Sequence, residues 1–119
     1  MGAIGSEQDE SWAESAEAAA ILVSKGGCDE GIFFCWSGTG ITMAANKVAG
    51  IRAALCCDAQ TASAARIWNH ANVLCLSNRT LSGDVAKEIL AAWFAPASGE
   101  KGAAGVLALS LVDARHRLG

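Results

Sequence analysis

Gly31-Ile32-Phe33-Phe34-Cys35-Trp36-Ser37-Gly38-Thr39-Gly40-Ile41-Thr42-Met43-Ala44-Ala45-Asn46-Lys47 joins an apolar run ending near a cysteine, a glycine-punctuated turn, and a stretch with helical spacing. Ile32 to Trp36 reads as a buried strand, and Ile41, Ala44, Ala45 and Val48 as one side of a short helix. A strand that turns directly into a helix aims the N–H groups of the turn, and the positive helix end, at whatever lies above Cys35. A thiol in that field is a candidate acid–base group. Gly38 and Gly40 supply the tight connection.

The same alternation extends in both directions. Upstream, Trp12, Ala16, Ala19, Ala20 and Val23 recur at helical spacing, with Asp9 or Ser11 as cap and Gly26-Gly27 as terminator. Downstream, Ile51 to Cys57 reads as a second strand, Asp58 caps a helix through about Trp68, Asn72 to Leu76 forms a third strand, and Gly83 to Phe94 is a helix ended by Pro96. Nearly continuous apolar strands suit a parallel sheet covered on both faces, and helices between them point to right-handed βαβ units. The expected fold class is α/β: a three-layer, Rossmann-like parallel sheet of about three strands flanked by helices. Residues 1–10 read as a leader, 11–97 as the domain, and 98–119 as a linker and C-terminal helix centred on Val106 to Val112, a helix suited to packing on another subunit.

With 119 residues the chain holds one domain, and a formal charge of −3 gives no basic field for nucleic acid. Apolar runs are far shorter than the ~20 residues that cross a bilayer, and Met1 to Glu14 lacks the basic start and apolar core of a signal peptide. A cytoplasmic protein is expected, with no membrane partner. The five cysteines are odd in number and mostly fall in strand-like runs, so reduced thiols are expected. His70 and His116 have no partners at metal-ligand spacing, so no metal is expected.

Cys35 to Lys47, followed by Val48-Ala49-Gly50-Ile51-Arg52-Ala53-Ala54-Leu55, resembles the ribose-5-phosphate isomerase B and galactose-6-phosphate isomerase (LacA/LacB) family. That family's pattern runs Cys-Gly-Thr-Gly-x-Gly, then Ala-Ala-Asn-Lys, then Gly-Ile-Arg-Ala. The likeness continues through Asn69, Asn72-Val73-Leu74 and Ala86-Lys87-Glu88-Ile89, and so covers about Ser11 to Phe94. The resemblance implies cofactor-independent interconversion of an aldose and a ketose phosphate through an enediolate. It assigns the base to Cys35, the oxyanion and substrate loop to Trp36, Ser37, Gly38, Thr39 and Gly40, and a substrate-binding role to Asn69. It also implies at least a dimer, because the family builds each site from two chains; the expected partner is a second copy or an unlike subunit that supplies missing residues.

The chain departs from the family pattern at several points. The family's first strand with its Asp-His pair has no counterpart, which leaves the Ile32 strand at an exposed edge. Trp36 replaces a glycine, and Trp68 replaces the ring-opening histidine, for which His70 is the candidate substitute. Of the two C-terminal phosphate-binding arginines, one position is Lys101 and the other Gly105. Arg79, in the loop after the third strand, lies at the carboxyl edge where α/β sheets bind ligands. Two alternatives follow: a noncatalytic subunit or sugar-binding domain of the same fold, and a proton-transfer enzyme for an open-chain substrate.

Overall fold

The computed structural model of the chain describes residues 11–95 and 100–117, so the expected leader, Asp9 and Pro96 lie outside the described residues. Helix α1 (Ser11–Ser24) leads into β1 (Gly31–Cys35), α2 (Thr39–Asn46), β2 (Ala53–Leu55), α3 (Ala59–Asn69), β3 (Val73–Ser77), α4 (Gly83–Phe94) and α5 (Ala103–His116). The three strands form one parallel sheet in the order β1-β3-β2. This is the three-layer α/β arrangement expected from the alternation of apolar runs and helices.

Side-chain alternation along β3 sorts the core into two halves. Val73 and Cys75 face α1 and α2, where they meet Ala16, Ala20, Val23, Phe33, Ile41 and Ala45. Leu74 and Leu76 face α3 and α4, against Ala62, Ala65, Ile89 and Trp93. Small alanines on α1 and α3 let the helices lie close to the sheet. Asp58 caps α3 by accepting from the Thr61 N–H (2.7 Å), and Ser82 caps α4 through the Val85 N–H (3.2 Å). The Thr61 bond holds the Asp58 carboxyl below its ordinary pKa.

Arg66 ties the second half together. Its guanidinium pairs with Glu30, donates to the carbonyls of Ala71 and Trp93, and lies 4.8 Å from the Trp93 ring centroid. Trp93 is fully buried, as expected of a core anchor, whereas Trp68 is exposed.

The second strand is shorter than the sequence reading has it. The apolar run Ile51 to Cys57 contributes only Ala53–Leu55 to the sheet, because asparagine side chains occupy backbone groups around its start. Asn72 accepts from the Arg52 N–H (2.8 Å) and donates to the Gly50 carbonyl (3.0 Å). Asn46 accepts from the Ala53 N–H (2.8 Å) and donates to its carbonyl (3.0 Å), standing where another strand would pair. Replacing Asn46 with alanine removes two hydrogen bonds, and the expected loss is about 1–2 kcal/mol of stability, read by urea unfolding.

The last helix is longer than Val106 to Val112. It starts where Gly102 sits against the α3 carbonyls; a Cβ at Gly102 would lie 2.4 Å from the Trp68 oxygen. At its far end Arg117 donates to the Lys47 carbonyl (2.7 Å) and pairs with Asp113 (2.8 Å). None of its side chains is buried.

Burial raises the thiols of Cys56 and Cys75 to about 11 from an ordinary value of 9.0. Below pH 9 both are neutral whether folded or not; between pH 9 and 11 the unfolded chain alone ionises. Stability is therefore expected to fall as pH rises through that window, on the order of 2 kcal/mol per thiol, seen as a decreasing Tm.

Candidate active site

Parallel strands place their carboxyl ends together, and Cys35 is the last residue of β1 at that end of the sheet. By alternation its side chain shares a face with Phe33, and it is half-buried against the α1–α2 core. Cys75 of β3, the register partner of Phe33, belongs to the same half of the core that Cys35 packs against.

The turn that follows is shaped by Gly38, whose φ of 81° is left-handed. A side chain there would meet both this backbone cost and Leu55, whose Cδ1 would lie 2.5 Å from the added Cβ. The Gly38 carbonyl accepts from the Thr42 hydroxyl (2.6 Å) and from the Thr42 N–H (3.3 Å). That N–H makes the first helical bond of α2, so the N–H groups of Gly40 and Ile41 ahead of it have no acceptor within the helix. Ser37 and Thr39 bond to each other through their hydroxyls at 2.9 Å. Gly40 admits the ring of Trp12, whose Cη2 would stand 3.0 Å from a Cβ.

The loop after β3 is pinned to this turn. The Asn78 N–H donates to the Cys35 carbonyl (2.8 Å), while the Arg79 N–H (3.0 Å) and the Ser77 hydroxyl (2.9 Å) donate to the Trp36 carbonyl. Arg79 and Trp36 are thus fixed side by side at the rim, both exposed. Ser77, Asn78 and Thr42 were not singled out in the sequence. Ser77 ends the third strand and Asn78 follows it, and Thr42 lies within the motif helix, so position alone was the available signal.

Asn69 and His70 lie elsewhere. A helix that follows a parallel strand returns to the amino end of the sheet, so the end of α3 is level with the start of the strands. His70 caps α3 in a left-handed conformation (φ 48°), and its carbonyl accepts from the Arg52 Nε (2.9 Å) just before β2. Cys35 is four residues along β1 from that level, roughly 13 Å. Within one chain the structure brings together Cys35, Trp36, Ser37, Gly38, Thr39, Gly40 and Arg79, and leaves Asn69 and His70 at the opposite end of the sheet. There Asn69 lines a cleft of about 440 Å³ with Asn46, Arg52 and Asp113. The His70 Nε2 is buried without a hydrogen-bond partner among the described residues.

Among the described residues no group of three or more His, Cys, Asp or Glu side chains could hold a metal ion, and no helix is long and apolar enough to cross a membrane.

Comparison with known proteins extends the likeness beyond Ser11 to Phe94. A family described as Ribose/Galactose Isomerase matches residues 1–106. Ribose-5-phosphate isomerase B of Escherichia coli (strain K12) is 42% identical over 78 residues, covering 66% of this chain and 52% of that protein. Galactose-6-phosphate isomerase subunit LacB of Clostridium acetobutylicum is 46% identical over 63 residues, 53% of this chain and 36% of the relative. The solved ribose-5-phosphate isomerase B of Clostridium thermocellum superposes with a TM-score of 0.84 at 33% identity, over 96% of this chain and 79% of that one. The chain spans about half the length of the first curated relatives it matches.

Proposed function

The chain belongs to the ribose/galactose isomerase family, and on that footing we propose that it interconverts an aldose phosphate and a ketose phosphate through an enediolate. The observation that carries this reading is Cys35 at the carboxyl end of β1, beside a turn whose N–H groups are unclaimed by the helix they begin. The Cys35 thiolate takes the proton from the carbon next to the carbonyl, leaving an enediolate. The N–H groups of the Ser37 to Gly40 turn, with Ser37 and Thr39, hold the developing oxyanion. Cys35 then returns the proton to the neighbouring carbon while the hydroxyl proton passes from one oxygen to the other, so that carbonyl and hydroxyl have exchanged places. No external electron acceptor enters this balance.

Arg79 is the cation at the rim suited to the substrate phosphate, and exposed Trp36 narrows the approach. Asn69 and His70 act from a second subunit, Asn69 on the sugar and His70 in ring opening. Their position at the far end of the strands supports this division, since a single chain cannot bring them to its own Cys35. Such an assembly is a homodimer or a pairing with an unlike subunit, and the LacB relative is by name a subunit. The site of action is the cytoplasm, in keeping with five free cysteines.

One observation favours a second reading, a noncatalytic sugar-binding subunit: Trp68 stands where the resemblance places the ring-opening histidine. The two separate in deuterated water. Incubated with aldose and ketose 5- and 6-phosphates, an isomerase exchanges deuterium into the carbon next to the carbonyl, followed by NMR. Sugar phosphate binding without exchange, in folded and assembled protein, sinks the isomerase reading.

A further inference from the structure

Isomerisation moves two protons, and Cys35 accounts for one of them. In an aldose the carbonyl oxygen is O1 and the hydroxyl is on O2; in the ketose the two are reversed. Once the thiolate has taken the proton from the second carbon, the enediolate carries its charge on O1 and still holds a proton on O2. That proton has to reach O1 for a ketone to form.

Four hydroxyls make hydrogen bonds within or onto the turn that follows β1. Two are spent on backbone carbonyls: Thr42 donates to Gly38 (2.6 Å) and Ser77 to Trp36 (2.9 Å). The other two, those of Ser37 and Thr39, bond to each other at 2.9 Å, and either can be the donor. A hydroxyl donates once and accepts through two lone pairs, so such a pair keeps one proton between its oxygens and turns the other outward. The Thr39 N–H also donates to the Ser37 oxygen (3.4 Å), and the carbonyl of that same peptide is the Gly38 carbonyl held by Thr42. The spacing of the two hydroxyls is thereby fixed from the backbone. Both residues are exposed, and Thr39 begins α2, the helix on whose side of the sheet Cys35 packs.

We infer, resting on the isomerase reading above, that the Ser37–Thr39 pair carries the second proton between the substrate oxygens. It gives a catalytic part to Thr39, at a position that the family pattern leaves open. The two oxygens of an enediolate sit on adjacent carbons, about as far apart as two hydrogen-bonded oxygens, and so match a hydroxyl pair spaced at 2.9 Å. O2 gives its proton to the Thr39 oxygen, Thr39 passes its own to the Ser37 oxygen, and Ser37 passes its own to O1. Each hydroxyl gains one proton and loses one, no bond to carbon changes, and the negative charge moves from O1 to O2. Cys35 then protonates the first carbon as the second becomes the ketone. The pair is left with its hydrogen bond reversed, which is the starting state for the opposite direction of reaction.

Thr39→Val keeps the shape of the side chain and removes the hydroxyl. With the relay cut the enediolate lasts longer, the proton on Cys35 exchanges with solvent, and deuterium returns to the second carbon of unconverted aldose. In deuterated water, the ratio of exchange into recovered aldose 5- or 6-phosphate to conversion into ketose is therefore expected to rise about tenfold or more in Thr39→Val and in Ser37→Ala. Thr39→Ser should restore the wild-type ratio. A ratio in the two variants equal to wild type, even with both rates reduced, overturns the inference, since the hydroxyls then only hold the oxyanion or the turn. Wild-type protein that neither exchanges nor converts overturns the isomerase reading itself. Should Thr39→Val fail to fold by circular dichroism, Ser37→Ala decides alone, because the relay needs both hydroxyls.

Discussion

Deuterium exchange into sugar phosphate substrates is expected to fall by about 10²–10⁴-fold when Cys35 is replaced by alanine, the size of effect that follows removal of a positioned acid–base group. The fold should tolerate the change. Cys35 is half-buried at the end of an edge strand rather than in the closed core, and alanine keeps its Cβ against the α1–α2 side. Unfolding midpoints of the two proteins are expected to agree within what one lost sulfur contact allows, about 1 kcal/mol. Exchange persisting at wild-type rate in the folded variant would remove Cys35 from the chemistry.

The second large effect is a recovery. Cys35→Ala and Asn69→Ala are each expected to be impaired alone, and a mixture of the two, allowed to exchange subunits, to regain activity. If Cys35 of one subunit works with Asn69 of the other, a mixed dimer carries one site with both changes and one with neither. Random assembly makes half the dimers mixed, so about a quarter of wild-type activity should return. A site contained in one chain gives no recovery, because every chain in the mixture is defective. The measurement is the isomerisation rate of the mixture against the mean of its components, and rates equal to that mean would discard the two-chain site.

Much of the fold was legible because β1 and β3 are apolar runs closed by turns. The strand expected at Ile32 to Trp36 is Gly31–Cys35, and that expected at Asn72 to Leu76 is Val73–Ser77, each shifted by one residue. Around β2 the reading overran, since the apolar content of the run from Ile51 says nothing about asparagine side chains that intercept the backbone. The C-terminal helix was underestimated because its first turn, Ala103-Ala104-Gly105, has no apolar period, and nothing in it is buried to impose one.

The loop from Cys35 to Gly40 was legible as a unit, being continuous in sequence and fixed by its glycines. The placing of Asn69 and His70 was not, although the rule that would have located them was in hand. In a parallel α/β unit the end of a helix belongs to the end of the sheet opposite the strand's carboxyl terminus. Arg79 was located by the same rule, because it follows a strand directly.

The strand order β1-β3-β2 also fixes a timetable for synthesis. The central strand is the last of the three in the chain, and neither outer strand touches the other. Until Ser77 has been made, β1 and β2 are two segments that lack the one strand both pair with among the described residues. Partial closure of the sheet gives them nothing, because both ladders depend on the same five residues, Val73–Ser77. A nascent chain stalled before Val73 therefore carries the apolar run Ile32 to Phe34 without β3 to pair with. The arrival of one short strand then lets both ladders form.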